Sequence, residues 1–164
     1  MKIFDAGYLD DLTGQAKSSP RLRQHRNIHQ SYHDASQRLF NAIEPNSYIR
    51  PHRHASDPRD ELLIAVRGAM ALVTFDDQGA VTDLIRFGTE RVVGNIAVGA
   101  EVPASTWHTV IALDPSCVLL EVKAGPFDPS QPKDLATWAP EEGSAAAREF
   151  LSRLVEMARI RGAA

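Results

Sequence analysis

Between Leu22 and Leu120 the apolar residues fall at every second position in short runs, and turn-forming clusters interrupt them. The interruptions are Glu44-Pro45-Asn46, Asp76-Asp77-Gln78-Gly79, Phe87-Gly88 and Asp114-Pro115. A two-residue period places alternate side chains on opposite faces of an extended chain, so these runs read as strands. The expected strands are Leu22–Gln30, Gln37–Ile43, Ser47–Pro51, Glu61–Arg67, Ala69–Phe75, Ala80–Phe87, Val92–Val98, Thr106–Leu113 and Val118–Lys123. Gly79, free to take positive φ, makes the Asp76–Gly79 cluster a hairpin turn. Many short strands with regular turns close into a sandwich or barrel, so the expected class is all-β.

The flanks differ. Ala6 to Ala16 reads as a short helix with Asp5 as its N-cap, ended by Ser18-Ser19-Pro20. After an extended, proline-fixed stretch from Gly125 to Pro132, Ser144 to Ile160 reads as a helix. Its Phe150, Leu151, Leu154, Val155 and Ala158 share one stripe, which must pack on the barrel or on a second subunit. A chain of 164 residues fits one domain, 1–164, with a barrel core over about 22–124 and the extended segment and helix over 125–161.

A net charge of −3 is too small to draw a nucleic acid or a membrane surface by electrostatics, so neither is expected as a partner. One cysteine, Cys117, excludes an intrachain disulfide and sits in an apolar run suited to a buried, inert thiol. The first residues lack the apolar stretch of a signal peptide and no run is long enough to span a bilayer, so a cytoplasmic location is expected.

Histidine usage points to chemistry. His52-Arg53-His54 puts two imidazoles on one face of an extended chain, Glu61 opens the next apolar run, and His108 begins a later one. Three imidazoles and a carboxylate suit one divalent transition metal such as Zn, Fe, Mn, Ni or Co, and suit Ca or Mg poorly.

These residues resemble the paired motifs of the cupins. The first motif, His-x-His, a short gap, Glu, six residues and Gly, is matched by His52, His54, Glu61 and Gly68. The second, Pro-x-Gly-x-x-His, is matched by Pro103 and His108, with Ser105 where the glycine usually stands. Arg21-Leu22-Arg23, Asn27-Ile28-His29, Gln37-Arg38, Tyr48-Ile49-Arg50-Pro51, Trp107-His108-Thr109, Glu121 to Pro126 and Trp138 to Glu141 further resemble the WbuC-type cupin metalloproteins. The resemblance implies a single jelly-roll β-barrel with one bound metal, and an association in some genomes with O-antigen polysaccharide assembly.

Strand parity extends the candidate pocket. Arg23 and His29 lie on the polar, largely cationic face of the first strand, whose other reading is a solvated edge. Gln37 and Arg38 point opposite ways, and Arg38 is expected to be the inward, ligand-anchoring cation. Tyr48 shares parity with His52 and His54 and is a candidate wall residue or a packing residue; Glu121 and Lys123 are candidates for groups behind the metal ligands or for a rim ion pair. Trp107 reads as packing. A small anionic or carbohydrate ligand fits this inventory. Three functions follow: a metal-dependent isomerase, epimerase or lyase acting on a sugar or small hydroxy or keto compound, an iron-dependent dioxygenase of a small organic substrate, or a non-catalytic metal-organised binding protein. A homodimer is expected.

Overall fold

A computed structural model of the chain describes residues 1–56, 58–89, 96–130 and 133–161. Two antiparallel sheets face each other. The first runs β1 (Arg23–Asn27), β2 (Ser36–Ile43), β9 (Cys117–Ala124), β4 (Glu61–Arg67) and β7 (Gly99–Val102), in that spatial order. The second runs β10 (Asp134–Leu135), β3 (His52–Arg53), β8 (Trp107–Ala112), β5 (Ala69–Phe75) and β6 (Val81–Gly88). Helix α1 spans Ala6–Ser18 and α2 spans Ala145–Arg161.

Alternation decides what each strand face meets. On β2, Phe40 and Ala42 turn outward and join Leu12 and Ala16 of α1 and Val118 of β9 in an outer cluster. Ile43 turns inward to a core with Leu63, Met70, Leu72, Phe87, Val102, Val110 and Leu119. On β5 the parity is as strict, since Met70 and Leu72 enter that core while Ala71, Val73 and Phe75 face α2. The α2 stripe, including Ala147, Leu151, Leu154 and Ala158, therefore packs on the barrel. Among the described residues no helix is long and apolar enough to cross a membrane.

Caps follow the expected chemistry. The Tyr8 backbone N–H donates to Asp5 Oδ1 at 2.9 Å at the start of α1, and the Ala147 N–H donates to Ser144 Oγ at 3.1 Å at the start of α2. Gly68, at φ 75, turns the chain between β4 and β5 beside Cys117, where a Cβ would collide with the thiol sulfur. The buried Cys117 thiol is pushed up to about 11 by that burial.

Two expectations are corrected or set aside, and one strand is new. Ser47–Pro51 is not a strand: Asn46 takes φ 70, Pro51 lacks an N–H for a ladder, and only His52–Arg53 pairs beyond it. The expected strand Val92–Val98 lies largely outside the described residues, and β7 begins at Gly99. The short β10, which pairs Leu135 with His52, was not foreseen, because it sits in a proline-fixed segment with no periodic signal.

Ser105 stands where the second motif has glycine, and it adopts φ 62, the left-handed conformation that glycine takes freely. The turn before β8 is kept at a backbone cost of roughly 1–2 kcal/mol for an L-residue. A Ser105→Gly variant is therefore expected to gain about 1 kcal/mol, raising the midpoint of thermal unfolding by roughly 2–4 °C for a chain of this size.

Candidate metal centre and its cavity

The inward positions of β3, β4 and β8 converge. His52 and His108 are register partners across β3 and β8, and their rings lie 4.5 Å apart by centroid. Their Nδ1 atoms sit 3.0 Å from the Arg50 carbonyl and 2.9 Å from the Thr106 carbonyl, each two residues back along the chain. A carbonyl only accepts, so Nδ1 carries the proton and the Nε2 lone pair is turned inward. This is how metal-binding imidazoles are commonly oriented.

Glu61, 4 % exposed, is the hub. Its Oε1 lies 3.0 Å from His54 Nε2 and 3.3 Å from Lys123 Nζ, and its Oε2 lies 3.3 Å from His108 Nε2. Burial favours the neutral acid, but the neighbouring imidazoles of His108 and His54 outweigh it and hold the carboxyl well below the usual carboxylate range. Burial holds His52 neutral, its pKa well below that of a free imidazole.

The donor set fits a divalent transition metal. With Nδ1 of His108 donating to a carbonyl, its Nε2 faces a carboxylate oxygen, and two lone pairs at that distance require a proton or a cation between them. Among the described residues no group of three or more His, Cys, Asp or Glu has the spacing of a ligand shell. The fit rests on donor chemistry and on convergence around Glu61.

Above the cluster opens a cavity of about 460 Å³ lined by Arg21, Arg23, Asn41, Ile49, Glu121 and Lys133 besides the four candidate ligands. A second chamber of about 350 Å³ adjoins it and shares His25, His54, Glu121 and Lys133. Burial, then the charge of Glu61, raises the pKa of Glu121. Lys133 is solvent-exposed through these openings, yet protein surrounds its ammonium closely enough that burial lowers its pKa, against the attraction of Glu121. Both groups are thereby moved towards neutrality.

Other candidates fall differently. Arg23 lines the cavity, but its guanidinium is held by Glu142 at 2.9 Å and by the Tyr48 carbonyl at 3.0 Å. The expectation for Arg38 is corrected: its side chain is 44 % exposed and lies 3.8 Å from Asp34, on the outward face that carries Phe40 and Ala42. Gln37 is the inward, buried residue of that pair. Tyr48 is also corrected as a wall residue, because the non-strand stretch breaks the two-residue period before His52. It is buried against α2 with its hydroxyl donating to the Pro140 carbonyl at 3.0 Å. Trp107 packs beneath the Arg53 guanidinium, 4.3 Å from the ring centroid, and donates to Asp77. Lys133 and Glu142 were missed, since neither lies on a periodic segment. His29, Glu121 and Lys123 do face the chambers.

A rolled pair of antiparallel sheets with its polar cluster on the inner face is the cupin fold, and solved structures agree. The chain is similar to the protein SO0799 from Shewanella oneidensis, with a TM-score of 0.54 and 11% identity over 68% of this chain and 72% of that one. It is similar to KdgF from Halomonas sp., with a TM-score of 0.50 and 16% identity over 68% and 86% of the two chains. It is also similar to the capsular polysaccharide assembling protein CapF from Staphylococcus aureus, with a TM-score of 0.52 and 18% identity over 68% of this chain and 31% of CapF. Within that fold the chain belongs to the family described as Domain of unknown function (DUF6016), whose model matches residues 4–87. That segment contains His52, His54 and Glu61, while His108 lies beyond it. No curated protein matches the chain.

The Arg21–Glu142–Arg23 clamp at the cavity rim yields a pH prediction. The two guanidiniums hold Glu142 down at about 2, through the hydrogen bond from Arg21, against burial, and then that from Arg23. A depressed folded pKa gives stability that is present above the ordinary value of 4.5 and is lost as pH falls through about 2. A Glu142→Gln variant is expected to melt below the native protein at neutral pH, by a modest margin because the clamp is partly solvated. Melting curves should show that gap closing as pH falls from 4.5 towards 2.

Proposed function

We propose that the chain is a metal-dependent enzyme that acts on a sugar or a small hydroxy or keto compound by isomerase, epimerase or lyase chemistry. The observation that carries this reading is the convergence of His52, His54, His108 and Glu61 on the floor of a cavity with titratable side chains on its wall. These four residues would hold the metal. When bound, a divalent cation would supply Lewis acidity to a carbonyl or to adjacent hydroxyls.

The remaining roles belong to the chain. Lys123 neutralises part of the charge on Glu61 and keeps that carboxylate oriented across the site. Val110, Leu63, Ile49 and Leu119 make the cavity wall apolar near the imidazoles and exclude bulk water from the reacting atoms. Glu121 faces the same space, and the upward shift of its carboxyl suits an acid that moves a proton there, with the Lys133 ammonium beside it. The finer kinship with the WbuC-type proteins, and through it a place in polysaccharide assembly, is supported by the quoted segments of sequence. A homodimer and a cytoplasmic location belong to the same proposal.

Elemental analysis after loading with Zn, Mn, Fe and Ni in turn tests the centre. The native protein is expected to retain close to one equivalent. His108→Ala and His54→Ala variants are expected to lose at least about 100-fold in affinity, more than the 10–100-fold typical of changes behind the ligands. Incubation of the loaded protein in deuterium oxide with nucleotide sugars, sugar phosphates and small keto acids tests the reaction, since isomerases, epimerases and lyases of this kind exchange a carbon-bound proton with solvent. Deuterium entry into a substrate carbon supports the proposal. Oxygen uptake dependent on ferrous iron, without exchange, would replace it with a dioxygenase.

A further inference from the structure

His29 is buried, 7 % exposed, at the wall of the second chamber. Its Nδ1 lies 3.0 Å from the backbone nitrogen of Arg38 and 2.9 Å from the Arg38 carbonyl. That carbonyl already accepts the Ile28 N–H at 2.8 Å, whereas the Arg38 N–H takes Nδ1 as its acceptor. The tautomer that satisfies both backbone groups puts the proton on Nε2. Among the described residues Nε2 has no hydrogen-bond partner, which leaves a buried donor unmet.

The rest of the chamber wall is specific. Phe127 and Tyr32 stand edge to face, 5.2 Å apart by centroid, and the Lys123 ammonium lies 5.3 Å from the centroid of the Phe127 ring. Lys133 lines both this chamber and the main cavity. One N–H donor and two lysines set against a single carboxyl, Glu121, with an aromatic wall, suit a singly charged, planar acceptor joined to a carbon skeleton. A phosphate dianion would call for several more donors, such as arginines or a run of backbone N–H groups.

We propose that the second chamber is a carboxylate subsite that binds the acidic end of the substrate whose reacting oxygens face the histidine centre. This rests on the functional reading above for its second half, and on His29, Lys123 and Lys133 alone for its first. Nε2 is buried, and the half-exposed Tyr32 ring lies beside the imidazole, centroids 5.9 Å apart; on this proposal that ring turns aside to admit the incoming oxygen. The substrate class is narrowed accordingly to sugar acids and other hydroxy or keto acids.

Calorimetric titration of D-glucuronate, D-glucose and inorganic phosphate, into both chelator-treated and metal-loaded protein, tests this. Glucuronate and glucose differ only in the carboxylate, so glucuronate is expected to bind at least tenfold more tightly than glucose, in the chelated protein as well. His29→Asn retains an amide oxygen near Nδ1 to accept the Arg38 N–H and removes the Nε2 donor. It is expected to lose at least tenfold in glucuronate affinity with unchanged metal uptake. Should that variant fail to fold, spectra of the native protein with nitrogen-15 in its histidines decide the matter: the His29 Nε2 signal should move with glucuronate and stay fixed with glucose. Equal binding of glucose and glucuronate, phosphate binding as tight as glucuronate, or an unmoved His29 signal would overturn the subsite. Loss of glucuronate binding in His29→Asn alongside an absence of bound metal would sustain the subsite and sink the metal centre, so the two failures are distinct.

Discussion

A carboxylate that stays ionised inside a barrel must be compensated, and the arrangement around Glu61 is governed by that requirement. Water is largely excluded at this depth, so the compensation comes from side chains on three other segments: His54 just beyond β3, His108 on β8 and Lys123 on β9. His108 and Lys123 arrive through strand parity and have further contacts that fix them. The carbonyl contacts of His52 and His108 set the tautomers, while Lys123 is held between the carboxylate and an aromatic ring. Removing any one of these partners leaves a buried charge short of compensation, which is far more damaging than losing an exposed ion pair.

The same alternation that builds the site builds the shell. Outward residues of β2 and β9 lie under α1, outward residues of β5 and β8 lie under α2, and inward residues divide between an apolar core and the polar chambers. The apolar core and the reactive cavity are thus one continuous interior whose two ends differ only in which side chains the inward positions carry.

Much of this was legible in the chain. The strands Glu61–Arg67 and Ala69–Phe75 and both helices follow directly from period and capping residues, and the four candidate ligands from their spacing. Parity along β9 also turns Glu121 and Lys123 to the chambers, and His29 reaches the second chamber from two residues beyond the end of β1. It misplaced Tyr48, because a left-handed Asn46 and Pro51 take the chain out of strand geometry between that residue and His52. It chose Arg38 over Gln37 on charge, whereas the outer face of β2 is the one that continues Phe40 and Ala42. Lys133 and Glu142 sit in segments where prolines and turns replace periodicity, and only the folded chain shows which strand they approach.

Glu142 bridges Arg21 and Arg23 from a position 121 and 119 residues further along the chain. Two arginines at the rim of the cavity are therefore held by a segment far along the chain, and neither side can complete the contact alone. Every strand of both sheets precedes Glu142, so a ribosome would have exposed all of them before that clasp could form.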